Sequence, residues 1–215
     1  MTKREKYIST RNRLAVLALF FLLPLVGWGQ ITATIDSNGN GTIEDSEKHL
    51  YLIQTQQFAS FYISPKGTNE LNTVNLPNAT MLWYFLEAEY DADNDIQYYY
   101  IVNNSTGKYV YNTDYTLNTD NGRLIRLGNL VTNDNTKEYR FYLVQNGTTD
   151  YYYIYVKQNG RQWRCLNKQG GNAAHTNGIR LTNDAYVNNI NSRWKFVPYD
   201  GTLVWPNPPF DVSTD

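Results

Sequence analysis

The chain has 215 residues, 18% charged and 15% aromatic, with 19 Tyr against 8 Phe and a formal net charge of −1. That balance offers no basic surface for nucleic acid, and 2 His with 1 Cys exclude most histidine- or cysteine-built metal sites and catalytic triads. Asn occurs 26 times and Met only twice, an excess of turn- and strand-formers that argues against a helical bundle.

Lys3, Arg4, Lys6, Arg11 and Arg13 precede an apolar run from Leu14 to Val26, broken by Pro24 and followed by Gly27-Trp28-Gly29. A basic segment, an apolar core and small residues before a cleavage point predict a secretory signal peptide over residues 1–29, cut near Gly29/Gln30. The run is 13 residues long, short of the ~20 that a membrane helix needs, so no span is expected after cleavage. The exported chain keeps 14 basic and 19 acidic residues, near −5, and is expected to be secreted or held at a cell surface. Cys165 is its single thiol. It forms no intramolecular disulfide and is read as a small buried hydrophobe, a usage commoner in bacterial exported proteins.

The leader, residues 30–47, carries the sharpest local motif. From Asp36 to Glu47 the sequence fits a twelve-residue EF-hand loop, with oxygen ligands at Asp36, Asn38 and Asn40, Gly41 at the sharp turn, the Thr42 carbonyl and Glu47. Alternate side chains converge on one hard cation, and Glu47 can supply both carboxylate oxygens. β-Branched residues in Ile31–Ile35 favour a strand over the usual entering helix, and two neutral Asn ligands imply weak Ca²⁺ affinity. An Asx-rich leader of self-satisfying turns is the competing reading.

Three copies of one pattern follow. Each opens on an aromatic-rich strand: Tyr51-Leu52-Ile53, Tyr99-Tyr100-Ile101 and Tyr152-Tyr153-Ile154. A second strand follows at Phe61-Tyr62-Ile63, Lys108-Tyr109-Val110 and Trp163-Arg164-Cys165-Leu166. A third alternates at 73–76, 123–127 and 178–181. Each copy closes on aromatic-x-Phe, at Trp83-Tyr84-Phe85, Tyr139-Arg140-Phe141 and Trp194-Lys195-Phe196. Period-2 alternation between Asn/Gly/Asp clusters predicts twelve half-buried strands, and closing the sheet on itself removes exposed edges.

These residues resemble the ricin-B-type β-trefoil lectins, whose repeats close on Gln-x-Trp-x-Phe. The resemblance implies an all-β fold, a β-trefoil of three four-strand repeats at about 48–90, 96–145 and 150–200, over a domain spanning 48–200. Met81, Lys137 and Ser192 stand where the motif has glutamine, so the fold carries over better than galactose recognition. The layout is also similar to modules at the N-termini of secreted bacterial surface proteins. By analogy with such lectins, sugar contacts would lie near the second hairpin of a copy, at Asp114, Tyr115 and Asn129 in the middle copy and Asn167, Asn172 and His175 in the third.

The acidic run Glu87–Asp95 reads as a solvated loop between copies rather than a second cation loop, since Ile96 falls where a glycine is needed. Exposed Tyr from the clusters at 98–100 and 151–155 would offer faces for sugar rings or for protein. Residues 201–215, rich in proline, read as a tail or a connector to a downstream domain. No phosphate loop, nucleophile elbow or zinc-protease motif occurs. The expectation is a non-catalytic, carbohydrate-binding module with a glycan or cell-surface ligand. A protein-interaction or protease-inhibitor domain and a structural spacer are the alternatives.

Overall fold

A computed structural model of the chain describes residues 31–112, 125–133, 137–157, 164–168, 178–182 and 189–201. Alternating apolar residues between tight turns give short strands. In chain order these are β1 (Tyr51–Thr55), β2 (Tyr62–Lys66), β3 (Glu70–Val74), β4 (Trp83–Asp91), β5 (Ile96–Asn103), β6 (Tyr109–Asn112), β7 (Ile125–Gly128), β8 (Phe141–Gln145), β9 (Tyr152–Val156), β10 (Arg164–Lys168), β11 (Ile179–Thr182) and β12 (Trp194–Pro198). The described residues contain no α-helix.

All pairings between these twelve strands are antiparallel among the described residues, and six strands close a ring. β1 pairs with β4 and β12, β5 with β4 and β8, and β9 with β8 and β12. The remaining strands form three hairpins, β2–β3, β6–β7 and β10–β11. Closing the ring gives each of its six strands a partner on both sides.

Residues whose side chains point into the ring make one core. Along β9, Tyr152, Ile154 and Val156 face inward, while Tyr153 and Tyr155 face outward into a second cluster with Tyr98, Tyr142 and Cys165. Cys165 is fully buried there, as expected of a small hydrophobe. Phe85 and Phe196 meet edge-to-face at 5.2 Å in the inner core. The closing aromatics anchor the hairpins to the ring. The buried Trp83 indole donates to the Ile63 carbonyl at 3.2 Å, Trp194 donates to Leu166 at 3.0 Å, and the Tyr139 hydroxyl donates to Asn129 at 2.9 Å. Before β4 and β12, 3₁₀ turns are capped by Asn78 and Asn189, whose side chains accept backbone N–H bonds.

Two expectations need correction. The third strand of the first copy is Glu70–Val74, not 73–76; Leu71 and Thr73 are buried, whereas Asn75 and Leu76 are exposed. The acidic run is not a loop. Glu87–Asp91 continue β4, which pairs with β5 through a bulge at Glu87/Glu89, and only residues 92–95 turn. Glu87 is exposed, and Glu89 pairs with Arg140, just before β8, and Lys157, just after β9, so acidic side chains do not interrupt the ladder.

Lys168 ends β10 with 1% exposure, its ammonium 4.1 Å from the Phe58 ring centroid and 5.5 Å from that of Phe61. Burial pushes its pKa down to about 8. The folded state then sheds this proton before the unfolded chain does, so stability should rise with pH from about 8 toward the ordinary lysine value. Lys168→Met is expected to raise the unfolding midpoint at pH 7 and to flatten that rise. Urea titrations of both proteins at pH 7 and pH 9.5 check it, and a parallel pH response in the two would refute it.

Candidate binding cleft

β5 and β8 share a single register pair, Tyr99 opposite Phe141. Beyond it the strands part, and a cleft of about 380 Å³ occupies the gap. One wall comes from Asp95, Ile96, Gln97 and Tyr99, the other from Tyr142, Leu143 and Val144, with Tyr152 of β9 and Ile31 of the leader closing the inner end. Tyr99 packs edge-to-face on Phe85 at 6.3 Å, Tyr152 lies tilted against Phe196 at 5.4 Å, and Tyr142 is stacked on Tyr155 at 5.1 Å. The aromatic walls are therefore held by the core rather than by solvent.

The polar groups are held too. Asp95 adopts φ 54°, a left-handed conformation that Asp tolerates better than most residues. Its Oδ1 accepts the Tyr90 hydroxyl at 2.7 Å. Gln97 Nε2 donates to the carbonyls of Glu89 and Tyr98 at 3.0 and 2.9 Å. Burial, with Glu87 adding to it, raises the Tyr99 pKa; burial and then Asp150 raise that of Tyr152. Both phenols stay neutral hydrogen-bonding groups in a field of negative sign.

The leader fills a comparable gap. β1 and β4 also share one pair, Tyr51 opposite Trp83. Thr34, buried, forms a parallel bridge with Leu86 and donates its N–H to the Phe85 carbonyl at 2.7 Å. Thr32 N–H donates to the Tyr51 hydroxyl at 2.7 Å, and His49 N–H to Thr34 Oγ1 at 3.1 Å. These contacts seat Ile31 against the core and at the cleft.

An ionic network flanks the outer tyrosines. The Arg140 guanidinium grips Glu138 through Nε and Nη2, each at 2.7 Å, and reaches Glu89 at 2.8 Å. Lys157 bonds Glu89 at 2.6 Å and lies over the Tyr98 ring at 4.8 Å. The Lys157 bond foremost, with Arg140 adding to it, holds the Glu89 carboxyl below the usual glutamate range. Its stabilising contribution is complete at neutral pH and is lost as pH falls through that lowered value. The network satisfies charges within the fold and leaves no cation facing the cleft among the described residues.

In the leader loop, Asp36 Oδ1 accepts from Gly39 and Asn40 N–H at 2.7 and 3.2 Å, and Oδ2 from Gly41 N–H at 2.6 Å. Asn38 and Asn40 side-chain oxygens accept from the N–H groups of Asn40 and Thr42. Gly41 has φ 82°, which the sharp turn requires. Glu47 closes the loop, accepting from Ser37 N–H and hydroxyl on Oε1 and from Glu44 N–H on Oε2. A 3₁₀ turn, Asp45–Glu47, follows in place of a helix. Among the described residues no three Asp, Glu, His or Cys side chains gather for a metal; a cation here would rely on amide and backbone oxygens beside Asp36 and Glu47.

Of the expected sugar-site residues, Asn129 is exposed and its carbonyl accepts the Tyr139 hydroxyl. Asn167, on β10, donates its amide to Ser192 Oγ at 2.8 Å. Asp114, Tyr115, Asn172 and His175 lie outside the described residues, as do the signal segment and residues 202–215. The structure brings together instead a group that the sequence did not single out. Tyr99 was visible in a tyrosine cluster, but nothing local indicated that β5 and β8 separate, or that Asp95 and Gln97 stand beside it.

No family model matches the chain, and no curated protein sequence does. Similar solved structures share the fold. The botulinum neurotoxin serotype G binding domain is 14% identical, TM-score 0.51, over 73% of this chain and 44% of that one. A salivary protein from Culex quiquefasciatus of the Cysteine and Tryptophan-Rich family is 15% identical, TM-score 0.51, over 70% of this chain and 93% of that one. A mosquitocidal holotoxin is 16% identical, TM-score 0.51, over 71% of this chain and 16% of that one. The chain thus spans less than half of either toxin chain and nearly all of the salivary protein. These likenesses concern the fold alone, an all-β domain with twelve strands among the described residues. No helix among the described residues is long and apolar enough to cross a membrane.

Proposed function

We propose that the chain is an exported, non-catalytic carbohydrate-binding module, a β-trefoil whose three four-strand repeats are β1–β4, β5–β8 and β9–β12. The six-strand ring with three hairpins supports that topology. The observation that carries the ligand class is the cleft between β5 and β8. Core-anchored tyrosine faces stand there beside a fixed carboxylate and amide, the pairing that a sugar's apolar face and hydroxyls require. Asp114, Tyr115, Asn129, Asn167, Asn172 and His175, the contacts expected from the lectin resemblance, form a second set for a longer glycan. Residues 1–29 act as the export signal, and 201–215 are a proline-rich tail or a linker.

The leader loop is part of the reading. Its donor set of Asp36, Asn38, Asn40, the Thr42 carbonyl and Glu47 fits a hard cation with oxygen preference. Bound Ca²⁺ would supply charge neutralisation, fixing the loop and, through Thr34, the leader segment before it.

A glycan array probed with the protein in 2 mM Ca²⁺ and again in EDTA tests this. Val144, on the exposed rim of the cleft, gives the control. Val144→Trp should fill the cleft and weaken any glycan signal about tenfold or more, with an unchanged unfolding midpoint. Equal binding by this variant would displace the site from the cleft. A blank array for folded protein would sink the carbohydrate reading in favour of a protein partner or a spacer.

A further inference from the structure

The cleft carries one sign of charge. Among its described lining residues Asp95 is the only acid, and no Lys, Arg or His joins it. Cations of the adjoining strands are taken up elsewhere, Arg140 and Lys157 by Glu89 and Glu138 and Lys195 by Asp150. The acids nearby are not balanced in the same way: Glu87 acts on Tyr99, and Asp91 is bonded within its own turn to Asn94. An acidic saccharide would have to bring its carboxylate against Asp95 with no cation to receive it, which repulsion and desolvation both oppose.

Asp95 is also prepared for a specific donor. The positive φ fixes its backbone and the Tyr90 hydroxyl fixes Oδ1, while Oδ2 makes no hydrogen bond among the described residues. A carboxylate oxygen on a cleft that Tyr99, Tyr142 and Tyr152 also line suits a primary ammonium, which gains a charge-assisted hydrogen bond there. We infer that the cleft selects a saccharide bearing a free amine, a 2-amino-2-deoxyhexose, and rejects acidic saccharides. The inference rests on the carbohydrate reading and names the sugar class within it.

Calorimetric titration of the protein with glucosamine tetramer, N-acetylglucosamine tetramer and sialyllactose tests it. The free-amine tetramer should bind about tenfold tighter than its acetylated form, sialyllactose should give no heat, and added salt should erode the preference. Asp95→Asn keeps the shape and tolerates the same φ, so it should bring the free-amine and acetylated tetramers to equal affinity. Equal or tighter binding of the acetylated form, or a preference that survives Asp95→Asn, overturns the inference and leaves the carbohydrate reading standing. Silence from all three sugars, with a blank glycan array, overturns both. A short lysine peptide that competes as well as the tetramer would show that the amine is recognised on protein, and would overturn the saccharide assignment.

Discussion

Trp194→Ala should lower the unfolding free energy by about 3–5 kcal/mol, the range for truncating a fully buried aromatic residue. Trp194 has no solvent exposure, lies beside the Phe85–Phe196 pair at the centre of the ring, and holds the β10–β11 hairpin through the Leu166 carbonyl. Alanine removes the packing and leaves that carbonyl without its donor, and the two losses add. Trp194→Phe separates them. It keeps most of the ring volume and should cost about 1–2 kcal/mol, chiefly the lost hydrogen bond. Denaturant unfolding followed by far-ultraviolet circular dichroism reads both. A loss below about 1 kcal/mol for alanine would mean that the third copy does not anchor its hairpin in this way.

Arg140→Met should cost about 3 kcal/mol, toward the lower end for breaking a buried ion pair because the guanidinium is partly exposed. The loss comes mainly from Glu138, which is 4% exposed and receives two guanidinium bonds. Without Arg140 it is a buried charge with no counterion. Removing both charges, with Glu138→Gln added to Arg140→Met, should recover more than half of the loss, since a neutral amide is far cheaper to bury. Thermal unfolding of the two singles and the double closes the cycle. Additive losses would show that the pair is energetically independent despite its geometry. The same variants should leave glycan binding intact, because Arg140 is bonded to Glu138 and Glu89 and does not line the cleft.

The closing aromatics show how far local pattern reaches. Trp83, Tyr139 and Trp194 could be picked out because aromatic-x-Phe recurs at even spacing, and each bonds a carbonyl of its own copy. The acidic run shows where it fails. Glu87, Glu89 and Asp91 look like a solvated loop by composition, yet they continue β4 because β5 supplies a ladder of eight register pairs and Arg140 and Lys157 neutralise Glu89 across the sheet. Charge in a strand is penalised only when it faces a core, and sequence does not say which edge has a partner.

What the sequence alone determined is whatever depends on period and neighbours: the all-β class, the strand-bearing segments, the inward and outward alternation at Tyr152–Tyr155, and the burial of Cys165. These follow from backbone geometry, where each residue's side is fixed by its place in a two-residue repeat. The tertiary structure decided what depends on closure. β5 and β8 are some forty residues apart in sequence, and only the ring brings Tyr99 to Phe141 and lets the strands part beyond them. That parting sets Asp95 and Gln97 beside Leu143 and Val144, and the leader's bond to Phe85 brings Ile31 to the same place. A cleft is the space between segments that fail to pair, and no one segment encodes it.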